Sequence, residues 1–182
     1  EDIPMARAVE RICFGKALNA GQTCVAPDYV LCPKPRQEEF VTEITKAFAG
    51  MYPRLADNPD YTSIVNDRQY DRLTSWLEDA ESKGAQLVPL NPAGEEFPSA
   101  GRKIPLTLVL AATDDMQVMQ QEIFGPILPV LTYESMDDAL EYVNSRPRPL
   151  ALNYFDDDAA GRRRVIAETH SGGLCLNDAV MH

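Results

Sequence analysis

A cysteine in a glycine-containing turn is the first residue of this sequence that could do covalent chemistry. The stretch NAGQTC, residues 19–24, ends on Cys24. Gly21 permits a backbone angle that other residues resist, and Pro27 is tolerated in the first turn of a helix. Residues 23–27 are therefore predicted to open a helical turn, whose free N–H groups would lower the pKa of a thiol and hold an oxyanion. The spacing alone leaves open a second interpretation, in which Cys24 is a buried small residue, as free cysteines usually are.

A nucleophilic cysteine needs a base, and the sequence offers two histidines. His170 is predicted to lie in the last turn of a helix, where a cation suits the helix dipole and capping is the favoured role. His182 is the final residue. A stand-alone esterase or acyltransferase that uses Cys24 with His170 therefore stays an alternative. No GxGxxG, P-loop or HExxH motif occurs, so the chain carries no phosphate fingerprint of its own.

Two further segments combine polar or aromatic side chains with glycine or proline, which interrupt helices and strands. In QEIFGP, residues 121–126, Glu122 could accept hydrogen bonds from ligand hydroxyls and Phe124 could pack against a ring. The alternative is a simple turn before a strand. In SGGLCLN, residues 171–177, the two glycines allow close backbone packing and Asn177 can hold a loop through its side chain. A structural role is predicted for this last segment.

Composition excludes several classes of function. The formal net charge is −11, whereas a nucleic-acid partner requires a basic surface. No apolar run reaches the roughly 18 residues of a membrane-spanning helix. The four cysteines form no C-x-x-C pattern, so no metal is predicted. Without a secretion signal, reduced thiols in the cytoplasm are expected.

The elements that must position these residues alternate along the chain. Hydrophobic periodicity predicts helices over 3–18, 37–51, 67–83, 116–121, 135–144 and 158–169. Short apolar runs predict strands over 29–32, 85–90, 104–110, 127–133, 150–155 and 174–176. This alternation predicts an α/β fold with a mostly parallel sheet and helical crossovers, in one domain spanning 1–182.

Four segments, taken in order, resemble the aldehyde dehydrogenase superfamily. They are FGKALNAGQTCVAPDYVLC (14–32), MQQEIFGPILPV (119–130), PLALNYF (149–155) and SGGLCLND (171–178). Within the family, TCVAPDYVLC and SRPRPLAL resemble the class 3 or fatty-aldehyde branch, and an aromatic, coniferyl-type aldehyde is the substrate that this resemblance implies.

The resemblance implies a role for each candidate residue. Cys24 would attack the aldehyde to form a thiohemiacetal, with its own N–H as one oxyanion donor. Hydride would pass to NAD or NADP, and water would hydrolyse the thioester. Glu122 would hydrogen-bond the nicotinamide ribose, and Phe124 would contact the cofactor. Gly21 and Gln22 would mainly shape the loop.

The sequence departs from the family pattern in three ways. Gln121 stands where the family often has a glutamate, and Asn153 interrupts a segment that is usually apolar or aromatic. The third departure is length, because the family's Rossmann domain, general base and C-terminal oligomerisation segment find no counterpart here. The chain is therefore expected to be the catalytic domain of a longer, homo-oligomeric enzyme, inactive by itself. A non-enzymatic interaction module is the remaining alternative.

Overall fold

Helices alternate with strands through most of residues 3–181, the range that the computed structural model describes. The helices are α1 (Met5–Ala17), α2 (Gln37–Met51), α3 (Asp67–Ser82), α4 (Gln117–Gln120), α5 (Met136–Asn144) and α6 (Ala159–Glu168). The strands are β1 (Val30–Pro33), β2 (Gln86–Pro89), β3 (Thr107–Leu110), β4 (Ile127–Tyr133), β5 (Ala151–Tyr154) and β6 (Gly173–Leu176). The predicted order of elements is confirmed, and α2 and β4 agree with the prediction at both ends. His182 lies outside the described residues.

The strands form one four-stranded sheet and one separate pair. In the larger sheet the order is β1-β4-β3-β2, with β4 parallel to both β1 and β3 and with β2 antiparallel at the edge. Strands β5 and β6 pair in parallel with each other. The α/β class and the mostly parallel pairing are confirmed. The predicted sheet is divided in two, because alternation indicates crossovers but does not determine which strands share hydrogen bonds.

Two apolar cores cover the two faces of the larger sheet. Leu108 and Val130 belong to a cluster that contains side chains of α1 and α2, whereas Val109 and Ile127 belong to a cluster that contains side chains of α3. Neighbouring strand residues point to opposite faces, so this alternation is what a doubly covered sheet requires. Apolar stripes on three helices pack into these cores, and their buried members are Met5, Val9, Ile12 and Cys13 on α1, Phe40, Ile44 and Phe48 on α2, and Leu73, Trp76 and Ala80 on α3. The other members of the stripes, Ala47 and Met51 on α2 and Leu77 on α3, are partly buried.

The ends of α3 follow capping rules. The Asn66 side chain accepts a hydrogen bond from the Gln69 N–H at the start of the helix. Gly84 follows the last helical turn with φ +94°, a left-handed conformation that glycine adopts without steric cost. Glycine is therefore the residue that the C-terminal end of α3 favours at this position.

The fold brings the two candidate loops to one edge of the larger sheet. Residues 18–29 precede β1, and residues 121–126 precede β4. Because β1 and β4 are parallel neighbours, the loops that lead into them meet at the same edge.

Candidate active site

Cys24 lies on an exposed turn between α1 and β1. The Ala26 N–H donates to the Thr23 carbonyl oxygen at 3.2 Å, which closes a single reverse turn. The prediction that residues 23–27 open a helical turn is therefore wrong. An α-helix beginning at Thr23 would need an N–H at position 27, and Pro27 has none. The exposure of Cys24 also rules out the interpretation of a buried small residue.

Three consecutive residues before the turn adopt the left-handed backbone conformation. Their φ angles are 51° at Asn19, 52° at Ala20 and 71° at Gly21. For an alanine this conformation costs about 1–2 kcal/mol. Ala20 is fully buried, so packing around it holds the loop in this shape. The loop is thus a fixed structure whose local strain is offset by tertiary contacts.

Gln22 ties the loop to a neighbouring segment. Its Nε2 donates to the Asn19 and Ser63 carbonyl oxygens, both at 3.1 Å. Its Oε1 accepts from the Val65 N–H at 2.9 Å. All the hydrogen-bonding atoms of this side chain are therefore used in shaping the loop that carries Cys24.

Gly21 packs directly against the segment before β4. A Cβ placed on Gly21 would lie 2.4 Å from the Gly125 carbonyl oxygen. This distance is far shorter than a van der Waals contact between carbon and oxygen, and the oxygen that the Cβ would meet belongs to the backbone. The Cys24 loop and the segment that carries Glu122 and Phe124 are therefore in contact along their backbones.

The backbone of Ile123 is held at both of its polar groups. Its N–H donates to Asp28 Oδ1 at 3.1 Å, and its carbonyl oxygen accepts from Arg72 Nη2 at 2.6 Å. The Arg72 guanidinium in turn lies 4.2 Å from the centroid of the Trp76 ring, a cation–π arrangement. These contacts fix the segment on which Glu122 lies.

Glu122 and Phe124, which flank Ile123, are both exposed. Phe124 has φ +48° and exposes 42% of its surface. A bulky residue in the left-handed region is a steric outlier, and such outliers concentrate at functional sites. Since Ile123 is fully buried between them, the segment presents a carboxylate and an aromatic ring on its outer side.

Lys16 lies in the last turn of α1 and is fully buried. Its Nζ has no hydrogen-bond partner among the described residues. Burial lowers the pKa of Lys16 from 10.5 to about 8, while the nearby carboxylates of Asp28 and Glu122 oppose that shift. Burial likewise raises the pKa of Asp28, and the charge of Lys16 opposes this rise. The two groups therefore support each other's ionised forms.

Replacing Lys16 by methionine is expected to remove a pH dependence of stability. The folded chain releases the Lys16 proton near pH 8, whereas the unfolded chain holds it up to about 10.5. Because the unfolded state then binds more protons, the free energy of unfolding rises with pH in this window. The contribution is about 2 kcal/mol between pH 7 and pH 10. Urea unfolding of the wild type and of Lys16→Met at pH 7 and pH 10 measures this contribution, because the two proteins share all other titratable groups.

If the free energy of unfolding changed with pH in the same way in both proteins, the assignment to Lys16 would be contradicted. The control is Lys34→Met at an exposed lysine, which should keep the pH dependence of the wild type.

Cys24 differs from the other three cysteines in its accessibility. None of the four cysteines forms a disulfide within residues 3–181, and Cys13, Cys32 and Cys175 are buried. Burial raises the pKa of Cys13 to about 12 and that of Cys32 to about 11. Selective alkylation of Cys24 is expected from this exposure alone, so it would not by itself reveal a catalytic role.

His170 is not joined to Cys24. It is exposed and lies two residues beyond the end of α6, so the prediction that it belongs to the last helical turn is wrong. The Thr169 N–H instead donates to the Val165 carbonyl oxygen where the helix ends. Within residues 3–181, no hydrogen bond or ion pair links His170 with Cys24.

The predicted structural role of the segment 171–177 is confirmed. A Cβ on Gly172 would lie 2.6 Å from the Leu150 carbonyl oxygen, which explains the glycine. Asn177 accepts from the Asp156 N–H at 2.8 Å and donates from Nδ2 to Asp157 Oδ1 at 2.9 Å. The side chain therefore fixes the loop that follows β5.

An apolar cavity of about 470 Å³ lies between β1 and β5. Cys24 and Glu122 are on its wall, together with apolar side chains that include Ile12, Val30 and Leu152. Its volume is within the range of small-molecule sites.

In the part of the chain that the structure describes, no cluster of three or more histidine, cysteine or acidic residues could hold a metal ion. In the same range, no helix has both the length and the apolar character needed to cross a membrane.

The sequence reasoning missed Lys16, Asp28 and Arg72. A signal existed for Lys16, which follows Val9 and Ile12 at helical spacing and so continues the apolar stripe of α1. A charged residue on such a stripe indicates a buried cation. Asp28 and Arg72 carry no comparable signal, because their hydrogen-bond partner Ile123 is remote in sequence.

Comparison with known proteins gives a consistent result. The sequence model described as "Aldehyde dehydrogenase family" matches residues 1–182. A Pseudomonas aeruginosa protein named "Probable coniferyl aldehyde dehydrogenase" is 59% identical over 182 residues, which are 100% of this chain and 37% of that protein. Family 3 aldehyde dehydrogenases of mouse and rat match the whole chain at 38% identity, in agreement with the predicted class 3 branch. The chain thus spans little more than a third of its relatives' length.

Solved structures show the same fold. A structure described as the substrate-bound state of Staphylococcus aureus AldH superimposes with a TM-score of 0.91 at 42% identity, covering 100% of this chain and 38% of that one. A Mycobacterium tuberculosis aldehyde dehydrogenase complexed with NAD+ superimposes with a TM-score of 0.82 at 26% identity, covering 98% and 37%.

Proposed function

The chain belongs to the aldehyde dehydrogenase family, and we propose that residues 1–182 are the nucleophile-bearing catalytic domain of an enzyme that oxidises aldehydes to carboxylic acids. One observation carries the proposal. The exposed Cys24 turn packs, through Gly21, against the backbone of the segment that presents Glu122 and Phe124. This contact holds the proposed nucleophile, Cys24, next to the segment that is proposed to bind a ligand. The oxidation of aldehydes is proposed for the longer protein that contains this chain.

Cys24 performs the covalent chemistry. Its thiolate attacks the aldehyde carbon, a C–S bond forms, and the carbonyl electron pair moves to oxygen. The Cys24 N–H, which no hydrogen bond occupies within residues 3–181, donates to that oxygen and stabilises its charge. After oxidation of the carbon, water adds to the thioester, the C–S bond breaks, and the free thiol and the carboxylic acid are released.

Glu122 and Phe124 are the residues proposed to hold the cofactor. An exposed carboxylate suits ribose hydroxyls, and an exposed ring suits the face of a nicotinamide, so both residues fit the group. When bound, NAD or NADP supplies the hydride acceptor that this oxidation requires. The M. tuberculosis relative bound to NAD+ supports this choice of cofactor. The Rossmann domain that binds most of the cofactor, and the general base, are proposed to lie elsewhere in the longer polypeptide.

The proposed substrate is an aromatic aldehyde of the coniferyl type. The name of the P. aeruginosa relative supports this class, and the apolar cavity beside Cys24 suits an aldehyde with an apolar body. We further propose that the full-length enzyme is a cytoplasmic homo-oligomer.

The test compares two polypeptides that contain this sequence. A chain with the full length of its relatives is expected to oxidise coniferyl aldehyde with NAD or NADP. The 182-residue chain is expected to show no turnover, because a domain proposed to bind most of the cofactor is missing. The measurement is the formation of reduced nicotinamide, followed by its absorbance, with an aliphatic aldehyde as comparison.

Three outcomes would contradict the proposal. Turnover of the 182-residue chain at the rate of the longer protein would show that no further domain is needed. Burst release from an activated ester that is lost in both Cys24→Ala and His170→Ala would favour the esterase instead. An inactive longer protein would favour an interaction module.

A further inference from the structure

Asn153 is a polar residue on the wall of the apolar cavity that also contains Cys24. It lies within β5, opposite Cys175 of β6. Asparagine is disfavoured in strands, because its short polar side chain competes for the hydrogen bonds of the backbone. The next residue, Tyr154, belongs to the types that strands favour. Strand propensity therefore does not account for an asparagine at this position.

The Oδ1 atom of Asn153 is buried and has no hydrogen-bond partner among the described residues. Within residues 3–181, buried side-chain atoms without a partner occur on four residues: Lys16, Thr23, Arg146 and Asn153. Of these, only Asn153 lines the cavity. A buried carbonyl oxygen without a donor is costly. The cavity wall therefore carries an acceptor that no described residue uses.

Other polar side chains of the wall already have partners within the chain. The Tyr154 hydroxyl donates to Asp156 Oδ2 at 2.9 Å. The Thr169 hydroxyl donates to the Val165 carbonyl oxygen at 2.7 Å. An aldehyde that is attacked by Cys24 extends the rest of its body into the same cavity. A donor group on that body would satisfy the unused acceptor.

We propose that Asn153 is a specificity-determining residue, whose Oδ1 accepts a hydrogen bond from a hydroxyl group on the ring of an aromatic aldehyde. Coniferyl aldehyde carries one such phenolic hydroxyl. A site built to accept this hydrogen bond selects against an aldehyde without the hydroxyl, because the buried acceptor then stays unpaired. The inference rests on the proposed function, since it assumes that Cys24 attacks an aldehyde held in this cavity.

The experiment compares aldehydes that differ only at this hydroxyl, in the full-length protein. Steady-state kinetics gives kcat/KM for coniferyl aldehyde, for its analogue without the phenolic hydroxyl, and for its methyl ether, in which a methyl group replaces the hydroxyl proton. The wild type is expected to prefer coniferyl aldehyde to both by about tenfold, the effect of one hydrogen bond. Asn153→Leu keeps a side chain of similar shape but has no acceptor, so its preference for coniferyl aldehyde over the analogue without the hydroxyl should disappear.

Two controls separate recognition of the hydroxyl from a folding defect. Asn144 is exposed and is not part of the cavity wall, so Asn144→Leu should keep the preference of the wild type. In Cys24→Ala no covalent bond can form, and titration calorimetry should give coniferyl aldehyde a Kd about tenfold below that of the analogue without the hydroxyl. Adding Asn153→Leu to this variant should abolish the difference in Kd.

Several results would overturn the inference, and they differ from a failure of the proposed function. A wild type that oxidises coniferyl aldehyde and the analogue without the hydroxyl equally well would refute recognition of the hydroxyl alone. A preference that Asn153→Leu retains would assign this recognition to another residue. A methyl ether used as well as coniferyl aldehyde would show that the substrate oxygen does not act as a donor. A full-length wild type that neither binds nor oxidises any of these aldehydes would refute both proposals.

Discussion

Replacing Cys24 by alanine is expected to lower kcat of the full-length enzyme by at least about 10⁴-fold, the scale of loss when a covalent nucleophile is removed. The thiolate forms the bond on which both later steps depend, and none of the other three thiols can replace it, because they are buried. Cys24 is exposed, so its removal leaves no cavity in a core. Steady-state kinetics and the thermal midpoint of unfolding should therefore show lost activity at unchanged stability.

The matched control is Cys175→Ala, which removes a buried thiol on β6. It should lower stability by about 1 kcal/mol, as small core truncations do, and should leave kcat within a few-fold of the wild type. Residual kcat above about 1% in Cys24→Ala would refute the nucleophilic role. A stable fold with wild-type kcat in that variant would require a mechanism without a covalent intermediate.

Gly21→Ala is expected to destabilise the chain by about 3 kcal/mol or more. Two physical effects add. An alanine at φ +71° is strained by about 1–2 kcal/mol, and its Cβ would lie 2.4 Å from the Gly125 carbonyl oxygen, an overlap that typically costs a further 1–3 kcal/mol. The two loops must separate, so cofactor binding and catalysis in the longer protein should also fall. Urea unfolding, monitored through circular dichroism and Trp76 fluorescence, measures the stability change.

Two other glycines separate these effects. Gly84→Ala carries the backbone strain without the clash, since φ is +94° and no atom lies within 4 Å of the new Cβ, so a loss of about 1–2 kcal/mol is expected. Gly50→Ala, within α2 and in open space, should stabilise the chain by about 0.5–1 kcal/mol. A Gly21→Ala variant no less stable than Gly84→Ala would show that the contact with Gly125 is dispensable.

Local sequence determined most of the elements of this protein. The stripes on α1, α2 and α3 and the apolar runs of β3 and β4 follow from periodicity, because burial of one face imposes a spacing that is readable along the chain. Gly84 could be assigned to a helix terminus, and Asn177 to a loop anchor, since both roles depend on short-range geometry. Local reasoning failed at residues 23–27, where Pro27 supplies no N–H for a helix, and at His170, which lies beyond the helix end.

The features of the candidate site also fall into those that the sequence identified and those that only the tertiary structure revealed. By itself the sequence identified Cys24, Glu122 and Phe124 as candidates, because their residue types and the turns around them are local properties. Only the tertiary structure decided that Gly21 packs on Gly125 and that Asp28 holds the N–H of Ile123, 95 residues away. Only it showed that the Lys16 side chain is fully buried at the end of α1. Such contacts depend on which strands become neighbours. The role of a charged residue on an apolar helix face can be assigned only when the groups around it are known.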